Sequence, residues 1–183
     1  MSIEKHLINH CSSTLASLKT GNMFNIPYES DEELIEHLAE WNCILNKKGV
    51  YVTILRTSSE KALIYVYRKS SLEKELERDE TRAFLEDYGY DSWEIEYVLD
   101  VLRSHFIRED CPHEVGVFLG YPLPDVVGFI ENGGKNYKCS GCWKVYCDVQ
   151  ASEKMFCKFK KCKKIYTDLW SNGRSICRLT VAG

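Results

Sequence analysis

Apolar residues recur every three to four positions in several stretches, which is the spacing of an amphipathic helix. It predicts a helix over residues 3–18, with a break near Cys11 where three polar residues follow. It also predicts a helix over residues 30–46, where Ser30 and Glu33 have the spacing of a capping box. Further helices are predicted over residues 72–76, 80–88, 92–106, 113–119, 124–131 and 152–170.

Other stretches alternate apolar and polar residues or are rich in β-branched and aromatic residues, which predicts strands. Residues 50–56 and 62–68 fit this pattern, and the short polar link between them predicts an antiparallel hairpin. Residues 137–147 and 174–181 are predicted to be extended, and residues 20–27 to form a loop. The predicted fold class is therefore α+β, with a small, mostly antiparallel sheet of about four strands flanked by about six helices.

Length, hydrophobicity and charge limit the classes of protein to which this chain can belong. The chain has 183 residues, which predicts a single domain over residues 1–183. It has no run of roughly 18 apolar residues and no signal-peptide pattern, so we expect a cytoplasmic protein with no membrane segment. A net charge of -3 disfavours binding to nucleic acid through phosphates. The lysine-rich stretch 154–164 is a local exception that would suit an anionic partner such as a flavodoxin-like protein or nucleic acid.

The chain contains nine cysteines, an odd number that cannot pair completely within one molecule. Cys139 and Cys142 form a C-x-x-C turn, which places two sulfurs on one metal in zinc knuckles. A zinc or iron site would also need Cys147 and a fourth ligand, either a histidine or one of Cys157 and Cys162. The alternative is that these cysteines are small buried apolar residues.

A second hypothesis is cysteine-dependent catalysis. A thiolate nucleophile needs a histidine beside it, oriented by a third group. Cys11 and His113 have the required residue types, Glu114 or Asp125 would orient the histidine, and Lys19 would attract an anion. The alternative is that Cys11 packs in the core and His113 simply begins a helix.

A third hypothesis concerns residues 113–131, whose spacing resembles a helix-turn-helix: Gly116, then Gly120 at the turn and Val126 six residues later. The second helix has no arginine to bind guanine, and an ordinary pair of packed helices explains the same spacing. DNA binding is therefore the weakest of the three hypotheses.

Four segments together resemble one known family. They are residues 10–24, 63–76, 84–90 and 112–146. In order and spacing they are similar to domain-of-unknown-function family 3793, found largely in anaerobic bacteria. The resemblance covers nearly the whole chain and implies a bacterial cytosolic protein, with a flavodoxin-like or iron-handling protein as its partner. It does not supply an activity.

The residues that match the family's signature include several polar ones that packing alone does not require. They are His10, Cys11, Thr14, Lys19, His113, Glu114, Tyr121, Asp125, Lys135, Trp143 and Lys144. The resemblance therefore implies a functional surface that joins residues 10–19 to residues 113–144. On this surface Cys11, His113 and Glu114 are the candidate catalytic residues, and the other residues are candidates for ligand binding.

Cys111, Cys139, Cys142 and Cys147 depart from the family's pattern, so the resemblance does not imply a metal site on them. The function expected from these observations is a ligand- or metal-binding accessory protein in anaerobic iron and redox physiology. A small enzyme that uses Cys11 and His113 is the alternative, and a DNA-binding regulator is the third possibility.

Overall fold

The computed structural model describes residues 3–109 and 111–183 and shows an α+β fold. The helices are α1 (Ile3–Leu15), α2 (Asp31–Leu45), α3 (Lys69–Leu76), α4 (Asp79–Glu86), α5 (Ile95–Arg108), α6 (Val115–Phe118), α7 (Leu123–Glu131), α8 (Val149–Ser171) and α9 (Ile176–Leu179). The strands are β1 (Gly21–Pro27), β2 (Val50–Thr57), β3 (Lys61–Arg68), β4 (Cys139–Ser140) and β5 (Lys144–Val145). No helix in the described ranges combines the length and the apolar character needed to cross a membrane.

The main sheet has three antiparallel strands in the order β1, β3, β2. Every residue of β3 from Ala62 to Arg68 is buried. A strand that is buried on both sides requires a layer of helices on each face of the sheet. The sheet therefore forms the middle layer of the molecule.

Two apolar clusters cover the two faces of the sheet. On one face, Ile64 of β3 belongs to a cluster with Leu7 of α1 and Leu38 of α2. On the opposite face, Tyr65 belongs to a cluster with residues of α3 to α7, including Phe118 of α6. Successive side chains of β3 point to opposite faces of the sheet, so neighbouring residues belong to different apolar clusters.

Several sequence predictions are confirmed. Ser30 caps α2 by accepting a hydrogen bond from the Glu33 amide at 3.2 Å. Gly49, with φ of 74°, ends the short 3₁₀ turn Asn46–Lys48 that follows α2, as expected of a left-handed cap. The hairpin of β2 and β3 forms in antiparallel register.

Other predictions are wrong. Residues 20–27 form strand β1 and not a loop, because β3 offers them a free edge along which Gly21 to Pro27 pair. Residues 174–181 contain helix α9 and not a strand, because Ile176 and Leu179 pack into the core as neighbours on one helix face. Helix α1 does not break near residue 11.

A buried arginine joins three parts of the chain. The Arg68 guanidinium lies at the end of β3 and is 1% exposed. It donates hydrogen bonds of 2.7 Å to the carbonyl oxygens of Thr14, Leu15 and Val181. Because the last carbonyls of a helix lack partners within the helix, Arg68 completes the end of α1 and fixes the C-terminal segment beside it.

The small hairpin of β4 and β5 has its own apolar cluster. Trp143 and Val145 from the hairpin pack with Phe159 of α8. Helix α8 also lies along α1. The hairpin is therefore held between α7 and α8, next to the edge of the main sheet that β1 forms.

Candidate functional site

The hairpin is fixed in place by Asp125, which lies in the first turn of α7 and is 2% exposed. One carboxylate oxygen accepts hydrogen bonds from the backbone amides of Tyr146 and Cys147, at 2.8 and 2.9 Å. The other accepts a 2.8 Å hydrogen bond from the indole N–H of Trp143. Asp125 was predicted to bind a ligand, but three donors of the protein already occupy its oxygens, so it positions the hairpin.

A cavity of about 320 Å³ lies between α6, α7 and the hairpin, and we call it the aromatic cavity. Its lining residues are Met23, Cys111, His113, Val115, Gly116, Leu119, Tyr121, Asp125, Val126, Phe129, Ser140, Gly141, Trp143 and Lys144. Apolar and aromatic groups form most of its wall, with a few polar groups among them. This combination is typical of small-molecule sites in proteins.

Two basic side chains border the aromatic cavity. The His113 ring contacts the Phe129 ring edge-to-face, with centroids 5.1 Å apart. The Lys144 ammonium donates to the carbonyl of Gly134 at 2.7 Å and lies 5.6 Å from the Phe129 ring centroid. Lys135, another predicted ligand residue, lines neither this cavity nor the one described next.

A second cavity of about 350 Å³ lies between α1, β1, α8 and the hairpin, and we call it the basic cavity. Its lining residues are Asn9, His10, Ser12, Ser13, Lys19, Asn22, Tyr121, Cys142, Phe156, Phe159, Lys160 and Lys163. Of the residues that the structure describes, Tyr121 alone lines both cavities. Residues from both segments of the predicted surface, 10–19 and 113–144, meet at this cavity.

Lys19 is the most enclosed cation of the basic cavity. Its ammonium lies 4.9 Å from the centroid of the Tyr121 ring, which in turn contacts Trp143 at 5.0 Å between centroids. Burial lowers the pKa of Lys19 to about 8, although the nearby thiols of Cys142 and Cys11 act in the opposite direction. Lys19 therefore gains or loses its proton within the pH range of ordinary experiments.

His10 and Thr14, both predicted to bind a ligand, differ in accessibility. His10 is exposed and stacks on Phe24 at 5.6 Å between centroids. Burial, the neighbouring His6 and the charge of Lys163 lower its pKa. Thr14 is fully buried and its hydroxyl donates to the Asn22 side chain at 2.7 Å, so it holds β1 against α1.

The predicted pairing of Cys11 with His113 is wrong. Cys11 is 0% exposed and belongs to the apolar cluster on the α1 face of the sheet. His113 borders the aromatic cavity next to α6, whose residues pack on the opposite face. Burial also raises the pKa of the Cys11 thiol far above its usual value, which disfavours the thiolate that a nucleophile requires.

Glu114, one of the two predicted orienting groups, is buried in the interior. It is 1% exposed and its carboxylate lies 2.5 Å from the ring nitrogen Nδ1 of His105. The hydroxyl of Tyr90 donates to the same carboxylate oxygen at 3.4 Å. Glu114 therefore links α5 to the segment before α6. Nothing in the sequence indicates that His105 is its partner.

The cysteines of the hairpin do not form the predicted metal centre. Cys139 packs in the hairpin cluster, Cys142 lines the basic cavity, and Cys147 is exposed. Within residues 3–109 and 111–183, no three His, Cys, Asp or Glu side chains are grouped so as to hold a metal ion. Burial raises the pKa values of Cys139 and Cys142, so both thiols keep their protons.

The helix-turn-helix hypothesis requires an exposed second helix. Helix α7 instead packs beneath the hairpin: Gly128 lies so close to Tyr146 that an added Cβ would approach the ring to 2.6 Å. Val126 contacts Gly116 of α6 in the same way, which is the packing of an ordinary helix pair. Helix α7 is thus packed on the hairpin through Gly128 and on α6 through Val126.

Sequence analysis missed several residues of the two cavities. Phe129 in the aromatic cavity and Asn22 in the basic cavity have no distinguishing spacing. Lys160 and Lys163 were recognised only as part of a lysine-rich helix. Their separation of three residues places them on one face of α8, but which face meets a cavity depends on how α8 packs.

These features define a small α+β protein with an aromatic cavity and a basic cavity on either side of one tyrosine. The chain belongs to the family described as "Protein of unknown function (DUF3793)", whose model matches residues 7–180. No curated protein matches the chain, and no solved structure matches it. The family predicted from the sequence is thereby confirmed.

Proposed function

We propose that this protein binds a small organic molecule whose apolar or aromatic part enters the aromatic cavity. The observation that carries the proposal is the cavity itself, with Tyr121, Phe129 and Trp143 in its wall and a volume of about 320 Å³. Ligand sites in proteins have volumes of roughly 300–1,000 Å³ and are mostly apolar, with a few polar groups that fix orientation.

The polar groups of the cavity suit a ligand that accepts hydrogen bonds. His113 is exposed at its edge, and Lys144 is held beside Phe129 by its bond to Gly134. An aromatic ring of the ligand would gain edge-to-face or offset contacts with Phe129 and Trp143. His113 and Lys144 would then determine which polar substituents are accepted.

The metal-binding form of the expected function has less support. Its three candidate ligands, Cys139, Cys142 and Cys147, have separate surroundings, and among the described residues no three such side chains are grouped so as to hold a metal ion. We therefore propose that an accessory role in anaerobic iron or redox physiology would depend on which organic ligand and which partner protein the chain binds. We also infer a reducing, cytoplasmic location, because the chain has nine cysteines, an odd number that cannot all pair within one molecule.

The test uses N-phenylnaphthylamine, an uncharged aromatic probe whose fluorescence rises in apolar surroundings. Wild-type protein should bind the probe, and Phe129→Ala should weaken binding about tenfold, which corresponds to roughly 1.4 kcal/mol for a lost aromatic contact. Ser140→Phe should also weaken it, because residue 140 is exposed at the hairpin and lines the cavity.

The matched control is Phe84→Ala, which removes a half-buried phenylalanine that packs on Tyr88 and lines neither cavity. It should leave the affinity for the probe unchanged. A probe that does not bind, or that binds equally well to wild type, Phe129→Ala and Ser140→Phe, would contradict the proposed function.

A further inference from the structure

The basic cavity has an unbalanced charge. Three lysines line it, Lys19 from the loop after α1 and Lys160 and Lys163 from α8. Among the described residues, its lining contains no aspartate or glutamate. The chain as a whole carries a net charge of -3, so the charge of this cavity is opposite in sign to the net charge of the protein.

The rest of the lining supplies neutral hydrogen-bonding groups. They include the side chains of Asn9, Ser12, Ser13 and Asn22. Some of these groups already bond within the protein: Ser13 donates to Asn22 at 3.1 Å, and Ser12 donates to the carbonyl of Ile8. The unused donors are therefore mainly the three ammonium groups, each with up to three N–H bonds to offer.

We propose that the basic cavity binds the phosphate group of a small molecule. A phosphate dianion matches clustered ammonium groups better than a singly charged carboxylate, and its oxygens accept several charge-assisted hydrogen bonds. The inference goes beyond the proposed function, because Tyr121 alone is common to the two linings among the described residues, and the three lysines do not line the aromatic cavity.

The shape of the site favours a small molecule over nucleic acid. The three lysines line a single half-open cavity of about 350 Å³. Lys19 is half-buried and its ammonium lies 4.9 Å from the Tyr121 ring centroid, whereas Lys160 and Lys163 are exposed, so a group that binds all three lysines must reach inward from the surface. A nucleic-acid backbone would need a broader positive surface than one cavity provides.

The titratable groups around the cavity come from α1, the loop after it, the segment before α7, the hairpin and α8. They are His10 and Cys11 of α1, Lys19, Tyr121, Cys142 of the hairpin, and Lys160 and Lys163 of α8. Burial raises the pKa values of the Cys142 thiol and of the Tyr121 hydroxyl, the latter to about 12, so neither adds negative charge near pH 7. Lys19 therefore remains the group whose protonation changes at moderately alkaline pH.

The experiment is calorimetric titration of the full chain with inorganic phosphate at low ionic strength, where screening is weak. Wild type should bind phosphate, with acetate at least about tenfold weaker. Lys19→Gln should weaken phosphate binding about tenfold or more, and Lys163→Gln about threefold to tenfold. Lys163 is exposed, so its replacement tests the site even if Lys19→Gln does not fold.

The matched control is Lys164→Gln, which removes an exposed lysine of α8 that lines neither cavity. It should not change the affinity for phosphate. The inference is overturned if phosphate does not bind at about 10 mM, if Lys164→Gln weakens binding as much as Lys163→Gln, or if duplex DNA displaces phosphate. If phosphate fails while the uncharged probe still requires Phe129, the proposed function stands and the phosphate site does not.

Discussion

Replacing Asp125 by asparagine should loosen the hairpin that separates the two cavities. In the native protein, one oxygen accepts from two amides and the other accepts from the Trp143 indole. An asparagine that keeps its oxygen toward the Tyr146 and Cys147 amides must turn its NH₂ toward the indole N–H, so two donors face each other. The substitution therefore removes one hydrogen bond and weakens two others.

The magnitude follows from the hydrogen bonds. A bond to a charged group contributes roughly 1.5–3 kcal/mol, a neutral one roughly 0.5–1.5, and a buried unsatisfied donor costs about 1–3 kcal/mol. The free energy of unfolding should therefore fall by about 3–5 kcal/mol, which lowers Tm by about 6–20 °C in a chain of this size. Phe129 and Lys19 remain in place, so the loss of stability comes from the hairpin and its contacts with α7 and α8.

Two measurements check this prediction. Thermal denaturation followed by circular dichroism gives the change in Tm, and hydrogen–deuterium exchange reports the protection of the Tyr146 and Cys147 amides, which should fall about tenfold or more. Asp168→Asn, on the exposed surface of α8, is the control and should change neither quantity. A fall in Tm of less than about 2 °C with unchanged amide protection would refute the structural role of Asp125.

Three further predictions test other parts of the account. Arg68→Met should lower the free energy of unfolding by about 3–5 kcal/mol in urea denaturation, because the carbonyl groups of Thr14, Leu15 and Val181 lose a charged donor; stability equal to wild type would contradict this. Cys11 should resist alkylation by iodoacetamide in native protein while the exposed Cys157 reacts, as mass spectrometry would show, because burial raises the pKa of the Cys11 thiol; equal labelling rates would contradict it. Phosphate affinity should fall as pH rises through about 8 and approach that of Lys19→Gln, because the Lys19 ammonium loses its proton there; the same calorimetry on Lys19→Gln should show no such fall.

Local signals in the sequence predicted the elements whose structure depends on nearby residues. The capped start of α2 at Ser30 and the hairpin of β2 and β3 are examples. Strand β1 was missed because its sequence, with Gly21 and Pro27 at its ends, is typical of a loop, and it becomes a strand only by pairing with β3. Pairing between distant segments cannot be inferred from the composition of one of them.

The candidate site was predicted in part. Lys19 and Tyr121 were named from the sequence as ligand-binding candidates and Cys142 as a candidate metal ligand, and the structure brings the three residues to one cavity. The role assigned to Cys11 was wrong because cysteine serves equally well as a buried apolar residue, and only the packing of α1 decides which role applies. Glu114 was likewise misassigned, because adjacent residues at a turn point in different directions and its partner is nine residues earlier, on α5.

The most direct test of the central claim is to locate where small molecules bind. A library of uncharged aromatic fragments can be screened against the full chain by amide chemical-shift mapping in NMR, whatever the natural ligand is. The account predicts that the shifts produced by binding fragments cluster on residues around Phe129, Trp143 and His113. Shifts that cluster elsewhere on the molecule, or a library in which no fragment binds, would contradict the claim that the aromatic cavity is the ligand site.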